Sequence, residues 1–406
     1  MTSQPATRSS SDLQIPPGFW PLDPCVTFLN HGSFGSCPRP VLEFQRAMLD
    51  RLEARPVYFL VRELEPLMDS ARSTLSTFIG AQPEDVVFVP NATSGVNTVL
   101  RSFKFEASDE LLVTDHAYNA CRNAVNFAAE QAGARVVVVH IPFPIQHPGI
   151  VVERVLERIT PRTRLVILDH VTSQTAMVWP IEKLVAALAQ RGVETLVDGA
   201  HAPGMVPVNL DELGAAYYTG NCHKWICAAK SAGFLHVRRD RQGSIRPLAI
   251  SHGANSSRTD RSRFQIEFGW TGTLDPSAFL SVPEALRVMA KLVAGGWPEI
   301  MRRNRALALA GRQLICKALD IPLPCPDEMI GSLASMPLPD ATYSSSPGPG
   351  HPDRFQDQLL EQNAIEVPCI PWPAWPKRLV RISAQLYNSL PQYQELARAL
   401  AAEFHP

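Results

Sequence analysis

ETLVDGAHAPG, residues 194–204, runs from apolar and β-branched residues straight into an acid, a glycine and a histidine. A run without polar alternation is what a strand covered on both faces requires. VVFV (86–89), ELLVTD (110–115), RVVVVHI (135–141) and RLVILDHV (164–171) have the same character, so all five are expected as buried strands. Amphipathic segments lie between them: in PIEKLVAALAQRG, Ile181, Leu184, Val185 and Leu188 repeat on one helical face. This alternation predicts a doubly wound α/β domain with a mostly parallel sheet. Ligands of such a sheet bind at the carboxyl ends of its strands, and Asp198 stands at one.

Outward from this centre the pattern changes twice. Residues 1–15 open on MTSQPATRSSSD and are expected as a disordered tail. The large domain is expected over 16–275, with 16–35 packing against a smaller C-terminal α+β domain, 276–406. Val41 to Ile79 reads as helix broken near Pro56 and Pro66. SSSPGPGHP, 344–352, reads as a flexible surface loop, and ELARALAAEF as a closing helix.

Composition narrows the function. The 406 residues carry 38 basic and 39 acidic side chains, a balance that offers no field for nucleic acid or an anionic membrane. A small polar substrate fits better. Eight cysteines are scattered without a CxxC pair, which reads as reduced thiols. There is no run of 18 apolar residues. A cytoplasmic protein is the expectation.

Three features at strand ends suit one cofactor. NATSGVNTVL follows the strand VVFV, so Thr93, Ser94 and Gly95 open a helix whose N–H groups and dipole suit a phosphate, although an ordinary N-cap wants the same residues. Asp198 is costly to bury without a positive partner. Asp115-His116 and Asp169-His170 at neighbouring strand ends raise a metal reading, but no HxxxH or HExxH spacing supports one, so no metal is expected. Among only seven lysines, Lys224 and Lys230 lie in TGNCHKWICAAKSAGFLHV, 219–237. Lys224 is preferred because Asn221 and His223 share its loop. Acid, phosphate cradle and loop lysine together are the anchors of pyridoxal 5'-phosphate. In RLVRISAQLYN, Arg381 suits a carboxylate clamp, although a salt-bridged arginine is the commoner occupant of such a place.

These residues resemble the class V aminotransferase-like enzymes of fold type I, and most of all their isopenicillin N epimerase-like branch. FLNHGSFG (28–35), DGAHAPG (198–204), HKW (223–225) and WTGTLDP (270–276) carry the likeness. It implies a large domain with a mixed, mostly parallel sheet, plus the small domain. Lys224 would form the Schiff base and Asp198 would face the pyridine nitrogen. His201 would meet the phenolic oxygen, and His116 would stack on the ring. Thr93, Ser94, Gly95, Asn221 and His223 would hold the phosphate. Thr273 would reach the phosphate of a neighbouring subunit, making a homodimer with shared sites. Arg381 would bind the substrate carboxylate, with Asn30 and His31 near the substrate.

Two departures matter. Desulfurases of this superfamily carry a catalytic cysteine before the carboxylate arginine. Cys369 precedes Arg381, but in a proline-rich setting that favours a packing thiol; Cys222 likewise reads as small filler. Tyr118, in DHAYNA, is either a proton donor or a structural hydroxyl. The expected chemistry begins with proton removal from the α-carbon of an amino acid by Lys224. Epimerisation, C–S lysis of a cysteine conjugate or sulfoxide, and transamination diverge after it.

Overall fold

The five expected strands all form. The chain carries β1 (Thr27–Phe28), β2 (Val86–Val89), β3 (Glu110–Thr114), β4 (Arg135–Val139), β5 (Thr163–Asp169), β6 (Glu194–Gly199), β7 (Tyr217–Asn221) and β8 (Gly233–Val237). Further on come β9 (Leu333–Leu338), β10 (Ile365–Glu366), β11 (Cys369–Pro371) and β12 (Arg378–Ser383). The structure, a computed structural model, describes residues 15–343 and 353–404. The expected tail, apart from residue 15, and the expected loop at 344–352 lie outside the described residues.

Seven strands form one sheet in the order β2-β8-β7-β6-β5-β3-β4. β8 runs antiparallel to both of its neighbours, and the other pairs are parallel. Successive residues of the central strands enter opposite cores. Leu111, Val113, Leu165 and Ile167 pack on one face, while Leu112, Val166 and Leu168 pack on the other. That division explains the unbroken apolar runs. β4 departs from the expectation: Val137 and Val139 are buried, but Val138 is 39 % exposed, because β4 is an edge strand.

The long N-terminal helix breaks only once. Helix Arg39–Ala54 ends before Pro56, and a π turn (Phe59–Glu63) leads into helix Leu64–Ile79. Pro66 does not break the second helix. It is the third residue of that helix and directly follows the π turn, whose widened pattern, with the Leu64 N–H on Phe59 O, leads into it without a break.

A second, antiparallel sheet, β11-β12-β9, packs against helix Gly296–Ala318, which also meets the closing helix Leu390–Phe404. β1 crosses to this end of the molecule and pairs in parallel with β10, Thr27 opposite Ile365. The N-terminal segment therefore arrives beside β12. The cleft between the large sheet and β12 brings Asp198, His201 and Lys224 near Arg381, whereas Thr273 and Cys369 lie elsewhere.

Candidate active site

Asp198, next to last in β6, stands beside Asp169 at the end of β5, in direct register. Both are buried, and neither meets a basic side chain within ion-pair distance among the described residues. Asp198 Oδ1 accepts the Ala200 N–H at 2.9 Å, and Oδ2 accepts the Cys121 thiol at 3.1 Å. Burial pushes the Asp198 carboxyl upward against these two bonds and Lys224. Asp169 is driven well above the usual range by burial and then by Asp198. A cationic N–H donor is the partner this buried acid lacks.

Lys224 hangs from the loop between β7 and β8. The Cys222 and His223 N–H groups both bond to Ala232 O, and Cys227 N–H bonds to Lys224 O at 3.1 Å. Cys227 and Ser231 take left-handed backbone angles to close this tight loop. Lys224 Nζ lies 3.1 Å from His201 Nε2, whose Nδ1 accepts the Trp225 indole N–H at 3.5 Å. Burial, then Arg381, lowers the Lys224 ammonium to about 7, with Asp198 pulling the other way. Burial and Lys224 hold His201 well below its ordinary value, so its ring is neutral. Lys224 is thus poised as an amine. Lys230 in the same loop is exposed.

The expected phosphate cradle draws on the ends of two strands. Asn91 caps helix Ala92–Ser102 by accepting the Ser94 N–H at 2.9 Å, and Asn221 Oδ1 accepts the Ala92 N–H at 2.9 Å. The Thr93 N–H has no protein partner among the described residues, and its side chain reaches the Cys121 thiol. Gly95 does not serve close approach of a ligand. A Cβ there would lie 2.1 Å from Thr219 Oγ1, so glycine is needed to seat the helix on β7. His223 Nδ1 donates to Ala232 O at 2.9 Å, and burial lowers this ring to about 4. The phosphate contact expected of it would require a proton on Nε2 as well, which a nearby dianion would favour.

Arg381 extends from β12. Nη1 donates to Ser173 O at 2.7 Å and Nη2 to Ser33 Oγ at 2.8 Å, while Nε is buried without a partner. No carboxylate lies within ion-pair distance of it among the described residues. Burial brings this guanidinium down to about 10. An unpaired buried cation beside a poised amine is a site awaiting an anion.

The match to the Aminotransferase class-V family model spans residues 36–323. The chain belongs to the class-V aminotransferase family. It is 35 % identical to an isopenicillin N epimerase of Amycolatopsis lactamdurans, over 93 % of this chain and 95 % of that one. It is 32 % identical to a probable chloroplastic L-cysteine desulfhydrase of Arabidopsis thaliana, over 98 % and 86 %. In structure it is similar to a C-DES mutant with glycine covalently linked to the PLP cofactor. That likeness has a TM-score of 0.75 at 22 % identity and covers 93 % and 96 % of the two chains.

Within this class-V fold, four expectations need revision. His31 is not free for a substrate: Nε2 donates to Lys224 O at 3.1 Å and Nδ1 accepts from Tyr387 Oη at 2.9 Å. It tethers the lysine loop. Asn30 acts one step back, accepting from Ser33 Oγ at 2.5 Å, the hydroxyl that serves Arg381. His116 is wholly buried, its Nε2 bonded to Ile141 O and its Nδ1 to Thr175 Oγ1, with Trp372 packed against the ring. It shows the cleft no open face. Tyr118 is the open aromatic residue of that segment, 44 % exposed, with its hydroxyl in the field of Arg381. Fourth, Gly95 serves packing, as above.

Thr273 is exposed on a segment that forms one wall of an apolar groove with Phe88, Ser94, Trp270 and Leu274. Cys369 is buried in the small sheet, with its N–H on Gln356 Oε1, and burial pushes its thiol far up. This burial accords with the packing reading of this cysteine. Cys222 is buried as filler in the same way. Sequence reading missed Asn91, Cys121, Ser33 and the loop Ser173–Thr175. Asn91 carried an N-cap signal, and the loop carried a strand-end one. Ser33 carried only its place in FLNHGSFG, and Cys121 carried none.

Proposed function

We propose that this chain, a pyridoxal 5'-phosphate enzyme working at the α-carbon of an amino acid, is an epimerase of the isopenicillin N epimerase type. The observation that carries this reading is the unpaired, buried Arg381 facing the same cleft as the depressed amine of Lys224. The first suits an α-carboxylate, and the second suits an α-proton.

The residues present fit the cofactor. Asp198 is a buried acid lacking a cation, and the Thr93 N–H lacks an acceptor. Thr93, Ser94, Asn221 and His223 would hold the phosphate, Asp198 the ring nitrogen, and His201 the phenolic oxygen. When bound, pyridoxal 5'-phosphate supplies an aldehyde for amines and a ring that withdraws electrons from the α-carbon. Arg381 then orients the substrate through two donors fixed by Ser173 and Ser33. Neutral Lys224 Nζ takes the α-proton, and His201 Nε2–H steadies the amine between uses.

Inversion needs a proton from the opposite side. Lys224 follows β7 and Tyr118 follows the β3 end, on either side of β6 in the sheet. Tyr118 is the open hydroxyl there. Tyr118→Phe is expected to slow inversion by about 10²-fold while solvent deuterium still enters at the α-carbon. Equal loss of both would remove Tyr118 from the proton path.

The second reading is a C–S lyase, favoured by the desulfhydrase relative at 32 % identity. Incubation with L-cysteine, cysteine conjugates and separate D- and L-amino acids, assayed for pyruvate and for chirality, discriminates the two. Pyruvate without inversion would overturn the epimerase reading. A homodimer sharing its sites through Thr273 accords with exposed Val57, Val61, Leu248, Ile250 and Leu274. A cytoplasmic setting accords with eight unpaired thiols and with no helix among the described residues long and apolar enough to cross a membrane.

A further inference from the structure

His116 sits in a chain of hydrogen bonds whose direction is fixed at one end and favoured by distance at the other. At one end Ile141 O can only accept, so His116 Nε2 carries a hydrogen and donates across 2.9 Å. At the other end the Met177 N–H donates to Thr172 Oγ1 at 2.8 Å. Between them Thr172 Oγ1 and Thr175 Oγ1 are 2.8 Å apart, and Thr175 Oγ1 is 2.7 Å from His116 Nδ1. Thr172 has a poorer alternative acceptor in Met177 O at 3.4 Å. One order satisfies every group of a neutral imidazole: Met177 to Thr172 to Thr175 to His116 to Ile141. The opposite order would need hydrogens on both ring nitrogens in a fully buried place.

The same loop supplies the floor of the arginine site. Ser173 O receives Arg381 Nη1, Gln174 O receives the Ser335 hydroxyl at 2.6 Å, and Thr175 reaches back to His116. Three consecutive residues are therefore pinned from three elements. Thr175 is the pin to the large sheet.

We propose that His116 is a proton-inert brace, locked as the Nε2–H tautomer, and that Thr175 is a positioning residue which through it fixes Ser173 beneath Arg381. His116 thus takes no part in moving the substrate proton. Burial lowers the ring's basicity. Asp115, with an oxygen 3.8 Å from Nε2, pulls upward, and His140, itself held by Asp115 at 2.6 Å, pulls downward. A hydrogen bond donated to the neutral ring's lone pair further disfavours the charged form. The consequence for substrate rests on the carboxylate reading of Arg381; the lock itself does not.

The test is nitrogen NMR of the holoenzyme labelled at histidine, with the His116 signals assigned by loss in His116→Gln. Wild type is expected to show a neutral Nε2–H ring that does not change from about pH 5 to 9, although a free imidazole titrates within that span. In Thr175→Val, His116 should begin to titrate; Thr175→Ser should restore the lock. Glycine binding, followed by the visible absorbance of the cofactor, should weaken about tenfold in Thr175→Val and recover in Thr175→Ser. A wild-type His116 that titrates, or that carries its hydrogen on Nδ1, would overturn the proposal even if the valine variant failed to fold. An unchanged His116 signal in Thr175→Val would overturn it too. An intact lock with glycine binding indifferent to Arg381→Lys would leave the brace standing and remove the carboxylate reading instead.

Discussion

Lys224→Ala is expected to lower turnover by about 10⁴-fold or more, with the protein still folded. The side chain leaves a loop held by its own backbone bonds to Ala232 and Cys222, so truncation removes the amine without loosening its support. No second amine stands in for it: Lys230 is exposed in the same loop, and Lys230→Ala is expected to leave turnover within about twofold, as at other surface positions. The amine's environment also sets a pH dependence. Folding lowers Lys224 to about 7, so the reactive neutral form is scarce below that value and dominant above it. Capture of pyridoxal 5'-phosphate by the apoprotein should accelerate as pH rises through about 7 and then level off. Stopped-flow absorbance checks the profile, and a rate still climbing at the ordinary lysine value would show that the depressed amine is not the group involved.

Arg381→Lys should reduce kcat/KM by about 10²- to 10³-fold, largely through KM. The guanidinium is a fork with Nη1 on Ser173 O and Nη2 on Ser33 Oγ. Its unpartnered Nε and its remaining hydrogens are left for an anion. A lysine at this depth carries one point charge and cannot bridge both serines while presenting a second donor. Steady-state kinetics with the substrate found by the chirality and pyruvate assays decides this. An unchanged KM would mean that the buried cation serves only to join Ser33 to Ser173.

The doubly wound sheet was legible because its central strands are buried on both faces, which forces continuous apolar runs in Leu111–Val113 and Leu165–Leu168. Asp198 and Lys224 were legible for a related reason: parallel strands deliver their carboxyl ends to one edge, so polar residues after such runs converge. What stayed hidden depends on contacts between distant parts of the chain. Ser33 meets Arg381 across 348 residues, and His31 meets Tyr387 across 356. No local pattern announces either pair. His116 misled for the same reason. Its place after β3 suits a cofactor contact, but Ile141 and Thr175, which enclose it, come from other strand ends. Gly95 misled because helix seating and ligand approach call for the same residue, and only Thr219 opposite it tells them apart.

The pairing of β1 with β10, and of Ser33 with Arg381, also orders events during synthesis. The lysine loop and the helix capped by Asn91 can form while the ribosome is still making the second half of the chain. β12 emerges roughly ten seconds or more after Lys224 at ordinary elongation rates, and until then Ser33 and His31 have no partners at that end. A nascent chain thus acquires the means to hold a cofactor before the means to hold a substrate. The substrate's anchor is completed only when β12 brings Arg381 to Ser33.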